Sequence, residues 1–487
     1  MNWRASLERL SGILRAPQRY PLTEALFLRL LGLVYLSAFA SFWPQMNGLF
    51  GSRGLVPVVR FLQVLQADLG GSGYYKVPSL FWLNASNGAL AWCCIAGCIG
   101  ALVMVAGVVP RAAAIACWIL YLSIVSVGVP FTNFQWDALL LEAGFLAFFA
   151  GASWLVWAYR FLLFRLMFES GVVKLLSGDP NWRNFHALRF HFMTQPLPNP
   201  FAYYAYRLPD SVLDFMTAAT LAIELLAPFL LFGPRRVRQV GVGLLMLLQV
   251  AIIFTGNYAF FNLLTLALCF WGLDDRTFAP LAALLRRTFS ARISFSENLS
   301  PLFRSGANVA LALIMLLGGL QLASMFSPSA IRFARPVFVA IAPFEIVNSY
   351  GLFASMTTTR PELIIEGSND QATWREYGFR YKPDELHRGL PQIAPYQPRL
   401  DWQMWFAALG DVQENRWVGN LLYRILTNEP SITRLLEPPP FSSPPHYIRV
   451  LLYDYSFTVP AERSRTGAVW QRQLRGVWFG PVSLTGR

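Results

Sequence analysis

The stretch "FRLMFESGVVKLLSGDPNWRNFHALRFHFMTQPLPNP" (Phe164–Pro200) decides how this chain is read. It begins inside an apolar run that carries Arg165, Glu169 and Lys174, and it continues without a break into Trp182, His186, His191 and Gln195. Ionisable groups in a membrane-length apolar run are costly unless each meets a partner or a wet cavity. The stretch therefore belongs inside a bundle of helices, and its charges are chemistry, internal glue for that bundle or a surface that grips another protein.

The composition agrees. Of 487 residues, 55% are hydrophobic and 14% charged, too apolar for an ordinary soluble domain. Candidate spans run over residues 22–43, 88–109, 112–129, 136–157, 161–176, 212–232, 239–254, 258–273 and 307–326, with Pro110, Pro130, Pro234 and Gly256 falling at the joints. The expected organisation is a basic cytoplasmic N-terminus (1–20), a transmembrane helical domain (21–327) and a soluble β-rich domain (328–487). The fold class is a polytopic α-helical membrane bundle of about nine transmembrane helices followed by a C-terminal β-rich, β-sandwich-like α+β domain outside the cytoplasm.

The net charge of +13 does not mark a nucleic-acid binder, because from Pro328 onward 17 Lys and Arg stand against 14 Asp and Glu. Most of the excess lies in short loops between apolar runs. With the N-terminus inside, 14 Lys and Arg face the cytoplasm and 6 (Arg53, Arg60, Lys76, Arg183, Arg189, Arg207) face outward, so the positive-inside rule places the last third outside. The protein is expected in the endoplasmic reticulum membrane of a eukaryotic host or the inner (plasma) membrane of a bacterial one.

In the C-terminal third, "ELIIEGSNDQATWREYGFRY" (Glu362–Tyr381) reads as strand, turn, strand, and "HYIRVLLYDYSFTV" (His446–Val459) as another strand; "DWQMWFAALG" and "RWVGNLLYRILTN" between them have helical spacing. All five cysteines lie in apolar runs, where they read as small packed residues, and the C-terminal domain has no disulfide to draw on.

At about 1.5 Å per helical residue, depth pairs Glu142 with Lys174 and Arg165 with Glu224, ion pairs that would bolt neighbouring helices together. The sharper alternative makes Lys174 a catalytic base, with Glu142, His186, His191 and Gln195 around an outward cavity. His186 and His191 are five apart with no Cys or acidic ligand beside them, so no metal is expected; no phosphate loop, nucleophile elbow or dinucleotide glycine pattern is present, so no cofactor is expected either. Trp402, Trp405 and Trp417 are candidate contacts for a client protein, and ordinary core packing is the plainer reading of the same three.

Longer phrases carry a family resemblance. "NFQWDALLLEAGFLAFF" (Asn133–Phe149), "FRLMFESGVVKLLSGDPNW" (Phe164–Trp182), "HFMTQPLPNP" (His191–Pro200), "IELLAPFLLF" (Ile223–Phe232), "RPELIIEGSND" (Arg360–Asp370) and "RLDWQMWFAALG" (Arg399–Gly410) resemble the lipase maturation factor family, in family order. The resemblance implies a multi-pass endoplasmic reticulum protein that acts as a chaperone in the folding, assembly and secretion of client lipases, more a maturation factor than an enzyme, with the client engaged by the segment after Ser327. Its implied partners are membrane lipid and a client lipase or other secreted protein, with no nucleic acid. "SGVVKLLSGDPNW" is also similar to the membrane core of vitamin K-dependent γ-carboxylase, which implies the runner-up reading: an intramembrane enzyme with Lys174 as base.

Overall fold

The computed structural model describes residues 19–289 and 300–484; most of the basic segment 1–20 lies outside the described residues. The membrane region contains α1 (Pro21–Phe42), α2 (Asn87–Ala106), α3 (Pro110–Val127), α4 (Gln135–Leu146), α5 (Leu155–Leu176), α6 (Ala187–Thr194), α7 (Asp210–Leu230), α8 (Arg235–Thr255), α9 (Phe261–Cys269) and α10 (Pro301–Ser324). Local chemistry sets their ends. The Ser86 hydroxyl accepts from Ala89 N–H to open α2, Gly107 closes it in the left-handed conformation, and Pro110 starts α3 where its missing N–H costs nothing. The first N–H groups of α1 are capped from far away: Leu22 and Thr23 donate to the two carboxylate oxygens of Asp275 at 3.1 and 2.8 Å.

Six of these helices, α1, α2, α3, α7, α8 and α10, are long and apolar enough to cross a membrane. Of the about nine expected spans six are therefore helices of this kind, and the other three runs differ for a physical reason. The run 136–157 is broken, since α4 stops at Leu146, a 3-10 turn follows to Phe149, Gly151 has φ 90°, and Leu155 opens α5. The run 258–273 gives only α9 and a 3-10 turn to Gly272. α5 has the length of a span but carries Arg160, Arg165, Glu169 and Lys174, all buried, and packs against α4, α7, α9 and α10. These three elements fill the centre of the bundle.

The C-terminal region consists of β1 (Arg360–Ser368), β2 (Arg375–Tyr377), α11 (Arg399–Ala408), α12 (Arg416–Leu426), β3 (Tyr447–Phe457) and β4 (Trp470–Ser483). The strands form one antiparallel sheet in the order β2-β1-β3-β4, with Leu363 opposite Leu452 and Tyr455 opposite Arg472. The expected β-sandwich is absent among the described residues: there is one sheet, and other elements cover both faces of its strand β1. All nine residues of β1 are buried. Leu363 and Ile365 face a core shared with Leu400, Trp402 and Met404 of α11, whereas Ile364 faces Met193 and Tyr203 of the segment between α5 and α7. A strand alternates its side chains between two faces, and here helix takes one face and a membrane-proximal loop the other.

Candidate functional site

Side chains from α5 reach three neighbours, and small residues let them do so. A Cβ on Gly171 would lie 2.9 Å from Leu225, and one on Gly318 of α10 would lie 2.8 Å from Arg165 Nη1, so both glycines permit close helix approach around the charged positions. The pairing of charges is the reverse of that expected from depth. Glu142 does not meet Lys174, and Arg165 does not meet Glu224. Arg165 Nη1 lies 2.7 Å from Glu142 Oε1 and its Nε lies 3.2 Å from Glu169 Oε1, while Lys174 Nζ binds both oxygens of Glu224 at 2.9 and 2.8 Å. A helix rise gives depth and leaves rotation open; α5 turns Arg165 toward α4 and Lys174 toward α7.

Around Arg165 the carboxylates do more than join helices. Asn348 N–H and Tyr350 Oη donate to Glu142 Oε2 at 2.9 and 2.8 Å, Tyr350 N–H donates to Glu169 Oε2 at 2.7 Å, and Arg165 Nη2 donates to the Asn348 carbonyl. The chain segment leading into the C-terminal region is thereby laced into the membrane bundle.

Lys174 lines a cavity of about 140 Å³ between α5, α7, α8, α9 and the segment containing α6. Its ammonium has three protons and three acceptors, the two Glu224 oxygens and the Ser170 carbonyl at 3.0 Å, and it lies 5.2 Å from the centre of the Trp182 ring. His191 also lines the cavity; Gln195 stands one step behind it. Gln195 Nε2 donates to the Thr255 and Phe192 carbonyls, which fixes its Oε1 as acceptor for Tyr258 Oη at 2.9 Å. Tyr258 has one proton and gives it to Gln195, so its oxygen accepts from His191 Nε2–H, also at 2.9 Å. His191 therefore carries a proton on Nε2, and its Nδ1 has no partner among the described residues. Burial, and secondarily the Lys174 charge, push its pKa down to about 4. His186 stands apart at the start of α6, outside the cavity lining, and its ring has no hydrogen bond among the described residues.

The three tryptophans proposed as client contacts are buried: Trp402 is 3% exposed, Trp405 and Trp417 7% each. Trp402 packs edge-on against Trp136 of α4 at 4.9 Å, Trp405 Nε1 donates to the Thr194 carbonyl at 2.9 Å, and Trp417 packs against Phe131 at 5.2 Å. They fasten the C-terminal region to the membrane region and present no face to a client. Two arginines act beside them. Arg399 grips Asp137 of α4 through Nη1 and Nη2 at 2.9 and 2.7 Å and also donates to the Phe131 carbonyl at 2.6 Å. Arg360 donates to the carbonyls of Met193 and Pro196, both at 2.8 Å, and pairs with Glu362 at 2.7 Å. All four charged residues are buried.

Reading the sequence finds the charges of α5 and overlooks these grips. Asp137, Tyr258, Tyr350, Arg360 and Arg399 stand at element ends or in loops, where a polar residue needs no explanation. Arg399 and Asp137 are 262 residues apart, and no local pattern links them.

The lipase maturation factor transmembrane domain model matches residues 22–280, and the lipase maturation factor C-terminal domain model matches residues 346–480. The chain is 33% identical to lipase maturation factor 2 of Gallus gallus over 598 residues, covering 96% of this chain and 82% of that protein. It is 33% identical to lipase maturation factor 1 of Bos taurus over 502 residues, with 95% and 89% covered, and 33% identical to lipase maturation factor 2 of Homo sapiens, with 95% and 83% covered. No solved structure matches.

Proposed function

The chain belongs to the lipase maturation factor family, and from that membership we propose that it is a maturation factor that assists the folding, assembly or secretion of client proteins such as lipases. It is an integral, multi-pass membrane protein. The observation that carries the reading is that both family domains match in one chain, over nearly its whole length. Support comes from the arginine and tryptophan grips, which hold the C-terminal region against the membrane region, so a bound client would be presented at the bilayer rather than on a free tether.

In this reading the N-terminus is cytoplasmic and the C-terminal region lies outside the cytoplasm, an arrangement supported by the 14 to 6 bias of Lys and Arg. It requires an odd number of crossings, with α4, α5 and α9 completing the six long helices. A reporter fused after Arg487 is expected to be active outside the cytoplasm; activity in the cytoplasm overturns the orientation. The function is tested by co-expressing the full chain with a secreted lipase in cells lacking a related factor. Active lipase secreted per lipase synthesised is expected to rise severalfold. No rise at normal abundance of the chain, with no secreted protein co-purifying, counts against the reading.

A further inference from the structure

The walls of the cavity beside Lys174 describe a ligand. Its volume, about 140 Å³, matches that of an apolar protein cavity that holds a benzene-sized guest. Leu166, Met167, Leu248 and Phe261 line it, and Met216 and Thr220 of α7 with Ala251 and Ile252 of α8 line it while being themselves partly exposed. Both helices turn most of their surface outward; Phe215 and Phe254, beside those residues, are 72% and 56% exposed. The mouth therefore gives onto lipid. The polar end lies where the C-terminal region meets the bundle, marked by His191, Tyr258 and Phe353, and Leu166 lies eight residues down α5 from Lys174, roughly 12 Å deeper.

The polar groups of the wall have little left to donate. The Lys174 ammonium is saturated and its charge is cancelled by Glu224. The hydroxyls of Ser170, Thr220 and Thr255 donate to carbonyls of their own helices, and Tyr258 donates to Gln195. Asn262 and Gln249 are hydrogen-bonded to each other at 2.8 Å. Two acceptors remain without a partner among the described residues, His191 Nδ1 and Asn262 Oδ1, and His191 is the one at the polar end. A charged head group would find no counter-charge here and would lose its hydration. A head that brings its own uncharged donor meets an acceptor.

We propose that this cavity takes an uncharged, hydroxyl-bearing lipid from the bilayer, with the first carbons of one hydrocarbon chain in the apolar pocket and the hydroxyl donating to His191 Nδ1. The neutral state of His191 at physiological pH keeps that lone pair available. The rest of the chain leaves through the mouth between α7 and α8.

The test uses the full chain in lipid nanodiscs with a diazirine derivative of hexadecanol as photoaffinity probe, the labelled residues being mapped by mass spectrometry. Labels are expected on Met216, Thr220, Ala251 and Ile252, with unlabelled hexadecanol competing at least about tenfold better than ionised palmitate. His191→Phe is expected to weaken the alcohol about threefold to tenfold, the worth of one neutral hydrogen bond, while leaving competition by hexadecane unchanged. Ala251→Trp, at the mouth and away from the histidine network, is expected to abolish site labelling with the thermal transition retained. Labelling spread equally over the lipid-facing Phe215, Leu226 and Leu247, or persisting in Ala251→Trp, overturns the site. Equal competition by palmitate, or an unchanged alcohol preference in His191→Phe, overturns the assignment of the head group.

Discussion

Asp401 on α11 is buried, and burial lifts its carboxyl to about 6 even though the N–H groups of Tyr381 and Lys382 pull it back down. Both donors reach the same oxygen, Oδ1, at 2.8 and 3.0 Å. An unfolded carboxyl titrates near its ordinary 3.8, so the folded protein holds this proton to higher pH. The stabilisation that follows is complete below about pH 4 and lost by about pH 6. Asp401→Asn keeps the double acceptor and removes the buried charge. It is expected to stabilise the protein by about 3 kcal/mol near pH 7 and to leave it unchanged near pH 3.5, as measured by thermal unfolding in detergent at each pH. If the variant melts lower than the parent near pH 7, Asp401 is ionised and useful where it stands.

Between elements, the charged contacts of α5 give a sharp expectation. Exchanging charges between Lys174 and Glu224 (Lys174→Glu with Glu224→Lys) preserves a pair across α5 and α7 and is expected to recover most of the abundance lost in either single variant. The same exchange between Glu142 and Lys174 creates two uncompensated buried charges, each costing about 3–5 kcal/mol, and is expected to leave no folded protein. Membrane-extracted yield and thermal midpoint distinguish the two; recovery in the second exchange alone would contradict the observed pairing. How much of this was legible in the sequence depends on the kind of information involved. Helices α1, α2, α3, α7, α8 and α10, strands β1 and β3, and helices α11 and α12 follow from local period and composition. α4 and α5 were blurred because apolar residues continue through the break at Gly151. β4 was missed because Arg472, Arg475, Gly476, Gly480 and Pro481 interrupt its alternation, and its pairing with β3 contains register shifts. That Lys174 and Arg165 needed partners was legible. Which partners they have depends on the rotation of α5, which no single helix records.

At the scale of the molecule, the membrane and C-terminal regions share one hydrophobic core that runs from Phe27 and Trp271 to Trp402, Leu421 and Val450. The full chain is expected to unfold in one cooperative transition. A fragment starting at residue 346 would expose Ile364, Trp402, Trp405 and Trp417 together and lose the membrane-region partners of Arg360 and Arg399. It is expected to aggregate or to lack a cooperative melt, as size-exclusion chromatography and calorimetry would show. A monomeric fragment with a sharp transition would mean that the joint is dispensable for folding.

The Asp275 cap on α1 has a consequence for biosynthesis. The ribosome delivers the first membrane helix about 250 residues before the carboxylate that closes its amino end. Until then those N–H groups depend on lipid head groups or water, and the nascent chain carries an unfinished edge at its very beginning. Closing the amino end of α1 therefore waits on the part of the chain that brings Asp275.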